Sequence, residues 1–115
     1  MYKYFKEEEF ECPCCKENKT DSKLITLLDA LRDDLGEPMV ITSGYRCPEH
    51  NEAVGGSENS SHLKGLAADI SCATSHDRFK LLSVLFKYFD RIGIAKTFIH
   101  VDIDEDKPKQ LTWTY

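Results

Sequence analysis

Two stretches decide the fold and the chemistry of this chain: SSHLKGLAADI at residues 60–70 and FIHVDI at residues 98–103. Neighbouring side chains of a strand point to opposite faces, so His100 is expected on the face opposite the alternating apolar residues. Asp69 is a carboxylate inside an otherwise apolar strand, which is costly unless the group is paired or bound to a metal. His62 follows a Gly- and Ser-rich loop that can bring it over that strand. These three residues therefore form one candidate site.

Two imidazoles and one carboxylate leave a fourth position open for water, which is typical of a catalytic zinc site. Structural zinc sites usually close all four positions with protein ligands, mostly thiolates. A single buried histidine is more often a satisfied core residue than a ligand, and the H-x6-D spacing alone is a weak pattern. Three such residues in a chain of 115 favour the metal interpretation. His50 and His76 lie in polar helix starts and are expected at the surface.

The composition is that of one globular domain over residues 1–115, with 41% hydrophobic residues and a formal net charge of -5. This charge gives no attraction to nucleic acid or to an anionic membrane, and neither is expected as a partner. No apolar run approaches the roughly 20 residues that a membrane span needs. The first residues lack the apolar segment of a secretory signal, so we expect a protein that is cytoplasmic as synthesised. A monomer is expected.

The chain has five cysteines, and four of them lie in or near two motifs: Cys12, Cys14, Cys15 and Cys47. An odd number without a secretory signal makes a disulfide framework the weaker interpretation. Cys12 and Cys15 have C-x-x-C spacing, so a second, structural metal ion held by these four cysteines is conceivable. Free or buried thiols, most of them in an N-terminal segment of residues 1–20, are the favoured interpretation. Cys72 follows a predicted strand and is expected to pack in the core.

Apolar periodicity predicts three helices. The first spans about residues 21–35, with Thr20 or Asp21 as its cap. A short helix is expected over residues 48–54, because proline is tolerated at the first helical position. A third helix is expected over residues 74–89, with five apolar side chains facing inward: Phe79, Leu82, Leu85, Phe86 and Phe89.

Strands are predicted between the helices and after them. Alternating or continuous apolar runs mark five segments: 38–42, 66–70, 91–95, 98–103 and 111–115. The short connection at Lys96 and Thr97 is expected to join two of them as a hairpin. The predicted fold class is α+β, a small and mainly antiparallel sheet with helices packed on one face.

Four motifs together resemble the zinc D-alanyl-D-alanine carboxypeptidase family. They are ITSGYRCPEHN at residues 41–51, AVGG at 53–56, S-x-H-x-x-G-x-A-x-D at 60–69 and H-x-D at 100–102. The family includes endolysins that cut L-alanyl-D-glutamate bonds, and it shares a fold with the hedgehog signalling domain and lysostaphin-type peptidases. The resemblance covers about residues 21–103, and it implies the hedgehog/DD-peptidase fold.

The resemblance assigns roles residue by residue. It implies that His62, Asp69 and His100 ligate one zinc ion. It implies that Arg46 faces the substrate and holds the substrate carbonyl or the developing oxyanion, a task that suits a planar, permanently charged group. Ser60 falls at a loop position beside the site. It is assigned either to substrate binding or to a turn that orders the loop.

The general base departs from the family pattern. Many relatives place an acidic residue three positions before the last histidine, and here that position is Thr97, which cannot act as a base. Asp102 is the best replacement, because strand geometry puts it beside His100 on the same face. The alternative is a carboxylate that orients the imidazole of a metal-bound histidine. Glu58 and Asp104 are weaker candidates.

The function implied by the resemblance is hydrolysis of peptide bonds in the stem peptides of bacterial peptidoglycan. The enzyme would be a zinc carboxypeptidase or endopeptidase, encoded by a phage or prophage and active on the cell wall once released. A peptidase associated with a phage tail would have the same chemistry. The alternative, favoured by the missing acid, is a zinc-binding interaction module of the same fold with weak or absent turnover.

Overall fold

The computed structural model describes residues 2–115, and its elements follow the predicted order closely. Three helices are formed, α1 over Ser22–Leu35, α2 over Pro48–Ala53 and α3 over Ser75–Leu85. Five strands are formed, β1 over Ile41–Ser43, β2 over Ala67–Ser71, β3 over Arg91–Ile94, β4 over Phe98–Asp102 and β5 over Leu111–Thr114. Short 3₁₀ turns lie at Glu7–Phe10 and Ser61–Lys64. Within the described range, no helix has the length and apolarity needed to cross a membrane.

The five strands form a single sheet in the order β1-β2-β4-β3-β5. Every neighbouring pair is antiparallel except β3 and β5, which are parallel. The short hairpin predicted at Lys96 and Thr97 joins β3 to β4. The α+β class with a mainly antiparallel sheet is therefore confirmed.

The first helix begins and ends as its sequence predicts. The carboxylate of Asp21 accepts a hydrogen bond from the backbone N–H of Lys23, and Gly36 ends the helix in the left-handed conformation. Leu24, Leu28 and Leu31 of α1 are buried with inward residues of the sheet and of α3 in one core, and Leu27 and Leu35 pack against it partly buried. This core covers one face of the sheet, so the polar side chains of β2 and β4 are left on the other face.

The inward side chains predicted for the third helix are confirmed only in part. Leu85 and Phe89 are buried and Leu82 packs against the core, but the other two are not inward. Phe79 and Phe86 are 76% and 58% exposed, whereas the buried positions of the helix are Leu81, Val84 and Leu85. Apolar residues occur on both faces of this segment, so periodicity could not tell which face packs into the core. The helix also ends at Leu85, before the predicted residue 89.

The N-terminal segment is part of the packed structure. Phe5 and Phe10 are buried in the main core, and their rings meet edge to face at 5.5 Å. The carbonyl oxygen of Phe10 accepts a hydrogen bond from the backbone N–H of Tyr45 at 2.8 Å. Gly44 is required at this contact, because a Cβ there would lie 2.5 Å from the same carbonyl oxygen. The segment thus fixes the loop that follows β1.

Candidate metal centre

Strand pairing brings two of the three predicted ligands together. Asp69 of β2 lies directly opposite His100 of β4 in the antiparallel register. Their neighbours Ile70 and Ile99 are buried in the core on the other face. The two polar side chains therefore project from the sheet at the same place, as the period of two predicts.

The third residue, His62, comes from the 3₁₀ turn at Ser61–Lys64. The turn ends at Gly65, whose φ is 72° and whose Cβ, if present, would lie 1.9 Å from the carbonyl oxygen of Lys19. Only glycine fits this conformation and this close approach. Gly65 also accepts a hydrogen bond at its carbonyl from the N–H of Asp21, which fixes the turn against the start of α1.

The donor atoms of the three residues converge on one point. Asp69 Oδ1 lies 3.2 Å from His62 Nε2 and 3.0 Å from His100 Nδ1. All three donor atoms lie within 4.8 Å of one another, and each residue is at most 7% exposed. The structure therefore brings together the residues that the sequence predicts as metal ligands.

The remaining imidazole nitrogens are each held by an acceptor. His62 Nδ1 lies 2.7 Å from the carbonyl oxygen of Gly44, and His100 Nε2 lies 2.8 Å from Asp102 Oδ2. A carbonyl oxygen can only accept, so Nδ1 of His62 carries the proton and its Nε2 presents a lone pair. In His100, Nδ1 presents the lone pair when Nε2 carries the proton and donates it to Asp102. Protons on His62 Nε2 and His100 Nδ1 would let these two nitrogens donate to Asp69, and a metal ion could take the place of the protons, because the two nitrogens and the carboxylate oxygen then all face one point. Zinc fits this donor set.

The titration of these groups reflects the same arrangement. Burial opposes ionisation of Asp69, but hydrogen bonds from His100 and His62 outweigh it and hold its pKa well below the usual range. Burial opposes the charged form of His100, but hydrogen bonds to Asp102 and Asp69 raise its pKa. The centre therefore keeps its carboxylate ionised and attracts positive charge.

Asp102 has both of its oxygens occupied. Oδ2 meets His100, while Oδ1 accepts hydrogen bonds from Arg91 Nε at 2.7 Å and from the N–H of Asp104 at 3.2 Å. The residue is 1% exposed. Its burial raises its pKa, but the bonds from His100 and Arg91 have the larger combined effect and lower it.

The sequence patterns do not single out Arg91, although a usable signal exists. It is a charged residue at the start of an apolar strand, the same anomaly that identified Asp69. The β3–β4 register places Ile92 opposite Val101, so Arg91 lies beside Asp102. Its guanidinium also lies 5.0 Å from the ring of Trp113.

Arg46 and Ser60 lie at the predicted place beside the centre. Arg46 donates hydrogen bonds to Ser43 and to Asn51. It also donates, at 3.3 Å, to Oδ2 of Asp69, the oxygen that does not face the imidazoles. The hydroxyl of Ser60 accepts a hydrogen bond from the N–H of His62 at 3.2 Å. Ser60 thus caps the turn that carries His62, and it also lines the cavity over the centre.

A cavity of about 320 Å³ opens over the three candidate ligands. Its wall includes residues that the sequence patterns do not single out: Phe98, Lys107, Trp113 and Tyr115. Three of these are aromatic, and β5 brings Trp113 beside His100 with ring centroids 5.6 Å apart. Among the residues that the structure describes, the only carboxylates lining the cavity are those of Asp69 and Asp102.

The weaker candidates for a base, Glu58 and Asp104, and Thr97 at the position that is acidic in many relatives, do not line the cavity. Thr97 is an exposed residue of the β3–β4 connection, and Glu58 is exposed in the loop before the 3₁₀ turn. Asp104 is 1% exposed and is bonded to Ser61 and Lys64. His76 is exposed, as predicted, whereas His50 is half-buried.

A second group of potential metal ligands contains three of the four cysteines considered above. Cys12, Cys15 and Cys47 bring their thiols within 4.8 Å of one another, and Cys14 is exposed and outside this group. Cys72 is buried in the main core, as predicted.

The fold and the metal centre together define a class, a small α+β domain with the donor set of a mononuclear zinc hydrolase. A family model for peptidase M15 matches residues 3–102, and the chain belongs to this family of zinc-dependent peptidases. The resemblance seen in the motifs is confirmed. A search of curated proteins gives no significant match. Strand β5, which contributes Trp113 to the cavity, lies beyond the matched residues.

Proposed function

We propose that this protein is a zinc metallopeptidase that hydrolyses peptide bonds in peptidoglycan stem peptides. The observation that carries the proposal is the convergence of His62 Nε2, Asp69 Oδ1 and His100 Nδ1 beneath an open cavity. Membership of the M15 family supports the peptidase activity and a substrate related to peptidoglycan.

The three residues would hold zinc with one position left for water or substrate. When bound, zinc polarises a carbonyl group and lowers the pKa of water to roughly 7, which provides a nucleophile at neutral pH. The protein contributes the orientation of both imidazoles. Gly44 fixes the tautomer of His62, and Asp102 fixes that of His100.

Arg46 supplies positive charge at the edge of the centre. Its guanidinium is mostly buried, and its bonds to Ser43 and Asn51 hold it in place. A fixed guanidinium beside Asp69 can donate to the substrate carbonyl and to the oxyanion that develops from it. We propose this as the catalytic role of Arg46.

The cavity wall suits a short acidic peptide. Lys107 and Arg46 provide cationic groups for peptide carboxylates, while Trp113, Tyr115 and Phe98 provide apolar surface for alanine methyl groups. Ser60 can donate its hydroxyl proton to the substrate, because the oxygen already accepts from His62. Stem peptides combine free carboxylates with small apolar side chains, and both cleavage of L-Ala-D-Glu and removal of terminal D-Ala fit this wall.

Asp102 is better suited to positioning than to proton transfer. Both of its oxygens are engaged, and one of them holds His100. We propose that Asp102 orients the imidazole of His100 and that Arg91 holds Asp102 in turn.

A second candidate function follows from the same observation. Among residues 2–115, the cavity lining offers no unengaged carboxylate that could serve as general base. This feature favours a zinc-binding interaction module with weak or absent turnover.

The two functions are separated by a direct assay. Zinc-loaded protein is incubated with purified muropeptides, and the products are identified by mass spectrometry. Loss of terminal D-Ala identifies a carboxypeptidase, and cleavage between L-Ala and D-Glu identifies an endopeptidase. The His62→Ala variant should be inactive, and the His76→Ala variant, changed at an exposed histidine, should match wild type. No cleavage by a fully zinc-loaded wild type would refute the peptidase and leave the interaction module.

A further inference from the structure

The second group of potential metal ligands, Cys12, Cys15 and Cys47, shares no residue with the candidate metal centre. Cys12 and Cys47 pack with Tyr45 in a small cluster of their own. Cys12 and Cys47 are 0% and 6% exposed, and their sulfur atoms are 3.6 Å apart without a disulfide bond. Cys15 is exposed and adds the third sulfur, within 4.8 Å of the other two. Residues 35 positions apart in sequence are thus brought to one point by the fold.

The backbone around these cysteines is shaped to hold them together. Cys12 and Cys15 lie in a tight loop closed by two hydrogen bonds, from the N–H of Lys16 to the carbonyl oxygen of Cys12 and from the N–H of Cys12 to that of Glu17. Lys16 has a φ of 63°, which turns the chain back and leaves the C-x-x-C pair on one side. Cys47 precedes Pro48 at the start of α2.

Backbone donors already point at one of the sulfur atoms. The N–H of Cys47 donates to Cys12 Sγ at 3.5 Å. The backbone N–H groups of Cys15 and Cys14 face the same sulfur. Such donors stabilise a thiolate, which is the form of cysteine that binds metals.

From this geometry we infer that Cys12, Cys15 and Cys47 bind a structural zinc ion that is separate from the catalytic centre. Thiolates are soft ligands that select zinc, and C-x-x-C spacing with a distant third cysteine is a common pattern in structural zinc sites. Structural sites usually close all four positions, and Cys12, Cys15 and Cys47 supply three of them here. The site does not depend on the proposed peptidase activity.

The consequence of this ion is a fixed loop beside the catalytic centre. It would tie the N-terminal segment to the stretch from Gly44 to Cys47, next to the Phe10–Tyr45 hydrogen bond. Gly44 holds the imidazole of His62, and Arg46 lies against Asp69. Zinc bound to the cysteines therefore stabilises the position of two groups that face the candidate active site.

The test is zinc content of the full-length protein, purified under reducing conditions and measured by elemental analysis. We expect Cys12→Ser and His62→Ala each to carry one zinc ion fewer than wild type, and the double variant to carry none. Cys72→Ser is the matched control, because Cys72 is buried outside the thiol group, and it should keep the full zinc content. Cys15→Ser removes the exposed ligand, so it provides a folded variant even where loss of Cys12 disrupts the core.

Cobalt substitution gives a readout on the wild-type protein itself. Charge-transfer absorption from thiolate to cobalt should appear, persist in His62→Ala and disappear in Cys15→Ser. The inference is overturned if His62→Ala binds no zinc while wild type does, or if Cys12→Ser keeps the wild-type zinc content. It is also overturned if intact-mass and alkylation measurements show a Cys12–Cys47 disulfide, because the two thiols would then link the segments covalently and could not bind zinc. If only the catalytic centre fails to bind zinc, the protein should still contain the one zinc ion of the cysteine site.

Discussion

Replacing Asp102 by asparagine distinguishes a positioning residue from a general base. In the structure Asp102 accepts from His100 Nε2 at 2.8 Å and from Arg91 Nε at 2.7 Å, each on a different oxygen. Asparagine keeps one acceptor oxygen and turns an amide N–H toward one of these two donors. One charge-assisted hydrogen bond is lost, and such bonds contribute about 1.5–3 kcal/mol.

Asp102→Asn is expected to weaken zinc binding, because His100 would no longer be held with Nδ1 toward the metal. Removal of a residue that orients a metal ligand typically weakens metal binding by about 10–100-fold. This corresponds to about 1.4–2.8 kcal/mol, within the range estimated from the lost hydrogen bond. At saturating zinc, turnover should recover most of its wild-type value, with the pH profile retained.

Zinc affinity is measured by competition with a chromophoric chelator, and turnover is measured on muropeptides at low and at saturating zinc. Asp34→Asn is the control, since this carboxylate is bonded to Tyr88 and Lys87 rather than to the candidate ligands or their turn, and it should leave zinc affinity unchanged. A general base behaves differently, because its loss lowers turnover by about 10²–10⁴-fold at any zinc concentration. That result, with zinc affinity unaltered, would refute the positioning role.

Two further predictions concern stability. Gly65→Ala should lower the free energy of unfolding by roughly 2–5 kcal/mol, because the left-handed backbone and the overlap of its Cβ with the Lys19 carbonyl oxygen add together. Urea denaturation measures this loss, and Gly55→Ala is the control. Gly55 has a φ of 73°, but no atom lies within 4 Å of the position that a Cβ would occupy there, so a loss of about 1–2 kcal/mol is expected. Equal losses in the two variants would contradict the steric reasoning. Asp104 is buried, which raises its pKa, but bonds from Ser61 and Lys64 outweigh this and lower it. A lowered folded-state pKa contributes stability above the unfolded value of about 3.9, and this contribution disappears as the pH falls through the folded value. Asp104→Asn should therefore be less stable than wild type by roughly 1–2 kcal/mol at pH 7, and the two proteins should converge in acid; a difference independent of pH would refute the ionic contribution.

The sequence determined the elements whose signals are local. Asp21 and Gly36 mark the ends of α1 because capping depends on a few neighbouring residues. Alternation in FIHVDI determined that His100 and Asp102 share a face, since the period of a strand is fixed by its backbone. The family resemblance followed from the motifs at residues 41–69 and 100–102, and it named the three residues that the fold brings together.

The tertiary structure decided what depends on pairing between distant segments. Phe79 and Phe86 are exposed because α3 packs its other face into the core against α1, a choice that apolar content on both faces leaves open. Arg91 reaches Asp102 only through the register of β3 on β4, and register arises from many weak contacts along both strands. Cys47 meets Cys12 only when the N-terminal segment packs against the loop after β1, because nothing in the local sequence links positions 35 residues apart. Sequence therefore determined the candidate ligands and the strands that carry Asp69 and His100, while chain packing decided which groups hold these residues in place.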